Sequence, residues 1–176
     1  QVAPFKWEND TPDAIYYAEL REAMGKVRER VPATEMAVTM DIADPTDIHP
    51  RNKQDVGYRL AQIALAKDYG RTGKQYLGPQ YESLSFDKDT VIVNFKKETI
   101  GTGLATNDGQ APRHFYVAGK DKKFYPATAI IRNNMLYLVS DKVKKPYAVR
   151  YAFTNYPVTN FGNREGFPAE PFRSSF

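Results

Sequence analysis

Apolar and polar positions follow two different rhythms along the chain, and the change falls near residue 75. Before it, apolar residues recur at helical spacing. Ala14, Tyr17, Leu20, Met24 and Val27 stand three or four apart, one face of a helix, while Glu19, Arg21, Glu22, Lys26 and Arg28 fill much of the rest. Thr11-Pro12-Asp13 predicts its start: a capping hydroxyl, a proline in the first turn and an acid near the positive end of the dipole. Pro32 breaks the pattern. A second helix is predicted by Val56, Leu60, Ile63, Ala64 and Leu65, opened by Pro50 and ended by Gly70. Short apolar runs at 2–5 and 36–42 predict buried strands, the second reading as a parallel strand covered on both faces. Strand, helix, strand, loop, helix is the order of an α/β layer, assigned to residues 1–74.

Residues 75–176 read differently. Short β-rich runs at 91–95, 114–118, 127–131, 135–139 and 147–153 alternate with turn residues. Asn133-Asn134 between two apolar runs is a two-residue hairpin signal. The spacing predicts a β-sandwich, jelly-roll-like, followed by an ordered but irregular strap from 155 to 176 that is rich in Pro, Gly, Asn and aromatics.

Composition narrows the function classes. Hydrophobic residues make up 41% of the chain, enough for a core. The net charge of +4 comes from Lys and Arg scattered among acids, so no nucleic-acid surface is expected. Two basic runs, at 120–123 and 142–145, lie between strand-like segments and read as solvated hairpin turns. The absence of cysteine excludes disulfides and thiolate metal sites. No apolar run approaches the roughly 18 residues of a membrane helix, so no membrane partner is expected. The opening Gln1-Val2-Ala3, without an initiator Met, reads as a processed or truncated product.

The candidate chemistry sits in the polar loop Asp44-Pro45-Thr46-Asp47-Ile48-His49-Pro50, which follows the 36–42 run. Sites of open α/β sheets lie at the carboxyl ends of strands. An imidazole there can take a proton from a serine hydroxyl and return it to a leaving alcohol. A neighbouring carboxylate would hold its tautomer. The competing reading of His49 is a capping or core histidine at a helix start. His114, flanked by Arg113 and Phe115, has no second histidine nearby and reads as structural or surface. The aromatics Phe115, Tyr116, Phe124, Tyr125, Tyr137, Tyr147, Tyr151 and Phe153 are weighted to a sandwich core over sugar stacking. Trp7 is a candidate for a pocket mouth or its buried wall. Tyr156, Asn160, Phe161 and Asn163 would border a cleft if the strap folds back over the loop.

Residues 36–60, from Met36-Ala37-Val38-Thr39-Met40-Asp41 through Ile48-His49-Pro50-Arg51-Asn52-Lys53 to Gly57-Tyr58-Arg59-Leu60, closely resemble the final block of the sialate O-acetylesterases, which are SGNH (GDSL-like) serine hydrolases. Val2-Ala3-Pro4-Phe5 and the closing stretch from Asn163-Arg164-Glu165-Gly166 to Phe172-Arg173 resemble the same family. The resemblance implies the C-terminal portion of an SGNH-type parallel-sheet hydrolase layer followed by a β-sandwich. It implies hydrolysis of O-acetyl esters on sialic acid, or on plant polysaccharide by an acetylxylan-type relative. A non-catalytic, glycan-binding accessory piece is the rival expectation. His49 carries over as the catalytic histidine. The family's serine and oxyanion residues lie in upstream motifs that Ser83, Ser85, Ser140, Ser174 and Ser175 do not match, so the nucleophile is expected from an N-terminal portion or a second chain. Thr46 stands where many relatives carry Asp, three before the His. The carboxylate partner is therefore Asp47, with Asp44 or no carboxylate as alternatives. Arg51 and Asn52 are expected to cap and solubilise the helix start. No metal or organic cofactor is expected, and a secreted, periplasmic or lysosomal setting is what the family suggests.

Overall fold

The computed structural model describes residues 1–6 and 11–175, so Trp7 lies outside the described residues. Two helices, α1 (Tyr16–Arg30) and α2 (Lys53–Lys67), come first. Ten strands follow: β1 (Tyr81–Asp87), β2 (Thr90–Phe95), β3 (Leu104–Thr106), β4 (Phe115–Ala118), β5 (Phe124–Pro126), β6 (Thr128–Arg132), β7 (Met135–Val139), β8 (Ala148–Tyr151), β9 (Phe161–Asn163) and β10 (Phe172–Arg173). They form two four-stranded antiparallel sheets, ordered β1-β2-β7-β6 and β10-β8-β4-β5, and a small β3-β9 pair.

Strand alternation explains the core. Val91, Val93, Leu136 and Leu138 of the first sheet share one buried cluster with Phe115, Val117, Val149 and Tyr151 of the second. Phe161 of β9 enters the same cluster, its ring 5.4, 5.8 and 5.7 Å from those of Phe95, Phe115 and Tyr151. Those are favourable separations for edge and tilted aromatic pairs. Asn133 and Asn134 adopt φ of 52° and 58°, the primed turn that sets Arg132 opposite Met135 in the β6–β7 hairpin.

The connections differ from expectation in two places. The basic run 120–123 is an exposed turn from β4 to β5, but 142–145 is no hairpin, because β7 and β8 lie in different sheets and Val143 is buried in the crossover. Three hairpins, β1–β2, β4–β5 and β6–β7, stay within a sheet. Between these hairpins the chain crosses from one sheet to the other, so that β2 lies beside β7 and β4 beside β8. The strap also contains the short strands β9 and β10.

The helical part departs further from the pattern. Ala3, residues 36–40 and Ile42 are buried, yet neither 2–5 nor 36–42 forms a strand. A ladder needs a paired neighbour in register. Here the Gln1 amino group donates to Ala37 O (3.1 Å) and Thr39 Oγ1 to Gln1 O (3.1 Å), contacts that do not build one. Thr11-Pro12-Asp13 forms a turn closed by Ala14 N donating to Thr11 O (3.0 Å), and α1 begins only at Tyr16. Helix α2 begins at Lys53, not Pro50, because the Asn52 side chain accepts from Asp55 N (3.1 Å). Gly70, at φ 64°, lets Arg71 N reach back to Leu65 O (2.8 Å) and close the helix.

In α1 the face that packs against the rest of the chain is not the apolar one. The apolar face points outward: Leu20, Met24 and Val27 are 47%, 38% and 47% exposed. Ala18, Arg21 and Gly25 face inward. Arg21 donates to Thr154 O (2.8 Å), Asn155 O (2.7 Å) and Val2 O (3.3 Å). Arg28 grips Glu170 (2.6 Å) and Glu35 (3.3 Å). In α2 the buried residue is again an arginine, Arg59.

Truncating the central ring tests the packing account. Phe161→Ala is expected to lower unfolding free energy by about 3–5 kcal/mol, the usual loss for a buried phenylalanine. An unshifted urea midpoint would refute the placement of Phe161 at the centre of the core.

Candidate active site

Residues 43–52 join the buried 36–42 segment to α2 and fold by short side-chain bonds. Asp44 Oδ1 accepts from Thr46 N (2.9 Å) and Thr46 Oγ1 (2.8 Å). Three residues on from Asp44, Asp47 Oδ1 accepts from His49 N (2.8 Å). Asn52 then caps α2, as expected of it. Each short polar side chain thus bends the backbone just ahead of it.

The His49 side chain is 82% exposed, and its Nδ1 lies 3.3 Å from Asp47 Oδ1. One carboxylate oxygen therefore meets both the backbone N–H and the ring of the same histidine. This sets a carboxylate beside Nδ1 at ion-pair distance. Asp44 is engaged elsewhere. The backbone and hydroxyl bonds from Thr46 hold its carboxyl below the usual carboxylate range.

Beneath the loop, Asp41 is clamped to α2. Arg59 Nη1 donates to Asp41 Oδ1 (2.7 Å) and Val38 O (2.8 Å), and Nη2 donates to Asp41 Oδ2 (2.6 Å). No sequence rule pairs an acid inside an apolar run with an arginine 18 residues later, so the spacing pattern misses both.

The strap does reach this end of the segment: Thr159 N donates to Met40 O (3.0 Å). Of the four tail residues singled out, Tyr156 comes to the loop; burial and the Asp44 charge push its phenol pKa up. Asn160, Phe161 and Asn163 brace the scaffold and also line, with Asp41, a hollow of about 140 Å³. Phe161 is core. Asn160 donates to Asp108 Oδ1 (2.9 Å) and Ala111 O (3.0 Å) and accepts from Arg113 N (3.0 Å). Asn163 donates to Leu77 O (2.9 Å) and Thr99 O (3.2 Å) and accepts from Phe167 N (3.0 Å).

The remaining candidates fall into the scaffold. His114 sits at φ 65° with Nε2 2.9 Å from Val158 O. Ser140 Oγ donates to Pro126 O (2.8 Å), and Ser174 Oγ accepts from Val149 N (2.9 Å). Among the described residues no serine bonds to His49, no group of three or more His, Asp or Glu is gathered for a metal, and no helix is long and apolar enough to cross a membrane. Phe115, Tyr151 and Phe153 are buried, while Tyr147 is exposed and the other aromatics of that group are half-buried.

Among known proteins the chain is similar to carbohydrate esterases. No family model matches. A solved carbohydrate acetylesterase from Xanthomonas citri superposes with a TM-score of 0.91 at 40% identity, over 99% of this chain and 40% of that one. The sialate O-acetylesterase of Pongo abelii is 29% identical over 134 residues, 73% of this chain and 25% of the relative. The human sialate O-acetylesterase is 42% identical over 59 residues, 31% of this chain and 11% of the relative. The chain thus spans about a quarter of the length of the first of these curated relatives. These matches bear out the resemblance to the sialate O-acetylesterase family and support reading the chain as the C-terminal part of such a protein.

The Asp108 cluster offers a pH test of the scaffold beside the strap. The Asn160 amide first, then Gln110 N–H and Arg113, lower its carboxyl from 3.8 to about 2. A folded value below the ordinary one means that this carboxylate stabilises the fold above about pH 4 and ceases to as pH falls through about 2. The fall of Tm with acid over that window is expected to be shallower in Asp108→Asn. Identical slopes in the two proteins would overturn this account.

Proposed function

We propose that the chain is the histidine-bearing part of a carbohydrate O-acetylesterase, with His49 as general base and acid and Asp47 as its orienting carboxylate. The observation that carries this is the exposed His49–Asp47 pair, lying within the block of sequence that resembles the sialate O-acetylesterases. A serine hydroxyl from another part of the protein attacks the acetyl carbonyl while His49 Nε2 takes its proton. The tetrahedral oxyanion collapses, and the sugar oxygen leaves with the proton that His49 returns. Water, deprotonated by the same imidazole, then releases acetate and frees the serine. O-acetylated sialic acid is the leading substrate class. A carbohydrate acetylesterase structure that matches 99% of this chain at 40% identity leaves room for an acetylxylan-type substrate as the second reading.

The outward face of α1 supports a role for a further part of the protein. Met24 and Val27 frame, with Met36, Ala37, Val56 and Leu60, an apolar hollow of about 330 Å³. Apolar faces of this kind are ordinarily covered. On this reading the portion that brings the serine covers the hollow.

In the full-length protein, His49→Ala is expected to lower kcat for acetate release by about 10²-fold or more, the scale of general acid–base catalysis, and Asp47→Asn by a smaller factor. The 176-residue chain alone is expected to release none. Acetate release from acetylated sialosides and acetylated xylan, followed side by side, separates the two substrate classes. Undiminished turnover in His49→Ala would refute the assignment of the base.

A further inference from the structure

We infer that the buried Asp41–Arg59 pair is the positioning element of the candidate active site: it cross-links the two stems of the loop 42–52 and so fixes where the His49 imidazole stands. The inference rests on His49 being the general base proposed above, and it goes beyond that reading by naming what holds the base in place.

The argument starts from what the loop lacks. Its bonds from Asp44 to Thr46 and from Asp47 to His49 span two residues each, and Pro45, Thr46, Asp47, Ile48 and His49 are all exposed. Local turns give the loop a shape, and Tyr156 of the strap comes beside Asp44, but the hydrogen bonds of residues 45–49 stay within the loop. Its place is therefore set at its ends. The incoming end is the buried segment that terminates at Asp41. The outgoing end is α2, which is capped by Asn52 and whose buried residue is Arg59.

One guanidinium joins these ends. Both of its terminal nitrogens meet both oxygens of Asp41, and one also reaches Val38 O, so the fork is fixed in plane and in direction. Planar two-bond pairing of this kind defines an orientation, which a single lysine contact cannot. The Arg59 side chain is buried and that of Asp41 largely so, at 6% and 14% exposed, which limits the access of water to the pair. Residue 41 lies eight positions before His49 and residue 59 ten after it, which makes the clamp nearly symmetric about the imidazole. Asp41 has no bond to the ring itself, so its effect on the reaction passes through geometry. A general base displaced by about 1 Å from a productive alignment loses on the order of 10²-fold in rate.

The test uses the full-length acetylesterase with Asp41→Glu, Arg59→Lys, Arg59→Met and the double variant Asp41→Asn/Arg59→Met, with His49→Ala as reference. Asp41→Glu keeps the charge and the pairing but lengthens the stem by one methylene. It is expected to lower kcat about 10²-fold with KM unchanged within about twofold, and to leave the acid limb of the pH–rate profile in place. Arg59→Lys is expected not to restore kcat. The double variant is expected to lose no more than Arg59→Met alone. Wild-type kcat in folded Asp41→Glu or Arg59→Met overturns the inference. So does a loss of kcat that comes with loss of the near-UV circular dichroism signal, since the pair would then be holding the fold and not the histidine. Undiminished activity in His49→Ala would sink the reading of the base, an outcome distinct from either.

Discussion

Three guanidinium groups fasten the helices to the sandwich and to the segment beneath the loop, and the helical part of the molecule depends on them. A buried arginine must find acceptors for a charge and several N–H donors at once. Arg21 finds three carbonyls, on residues 2, 154 and 155. Arg28 finds two carboxylates, and Arg59 a carboxylate and a carbonyl. Thr154 and Asn155 lie far in sequence from Arg21, and Glu170 lies far from Arg28. The polar contacts therefore specify position in a way that sliding apolar surfaces do not. Leaving one member of such a buried pair without its partner typically costs about 3–5 kcal/mol.

The same arginines account for what the hydrophobic pattern missed. Periodicity identifies a face of a helix; it does not say what covers that face. In α1 the apolar stripe through Leu20, Met24 and Val27 was legible, but the sandwich lies against Arg21, Gly25 and Arg28 on another side. The strands were more legible, because the sandwich buries one face of each and the alternation of β2 and β7 follows directly. The strands without a signal are the ones whose pairing depends on context. Strand β1 is an edge strand with five of its seven positions exposed. Strand β9 contains Gly162, where an added Cβ would strike the Phe167 carbonyl, so the position speaks of close approach and not of strand propensity.

Legibility within the site divides along the same line. His49 and Asp47 were readable because they are two residues apart in a polar loop within a resembling block, and short-range turn chemistry brings them together. Asp41 and Arg59 were not, because their meeting is a tertiary event across the loop. Asn160 and Asn163 show a second limit: both border a hollow with Asp41, but their amides are spent on the scaffold. Polar residues in a strap suggest ligand contacts, but every donor and acceptor of both amides is taken by backbone or by Asp108. Buried amides in irregular segments do the pairing that a regular ladder would otherwise do.

A rigid foundation under an exposed ring is a combination that a proton shuttle requires. The imidazole has to be reached by two oxygen atoms in turn, so its working nitrogen cannot be covered by its own chain. Its partner nitrogen has to be held, or the tautomer is lost. On the proposed reading Asp47 provides that hold, with an oxygen that the His49 backbone N–H already fixes. On the proposed reading, the exposure of the ring is the form of one half of a site. Once a nucleophile and an acetylated sugar exclude water from it, the attraction between Asp47 and the protonated ring strengthens as the local dielectric falls. The gain then falls on the imidazolium, the species formed when the serine gives up its proton.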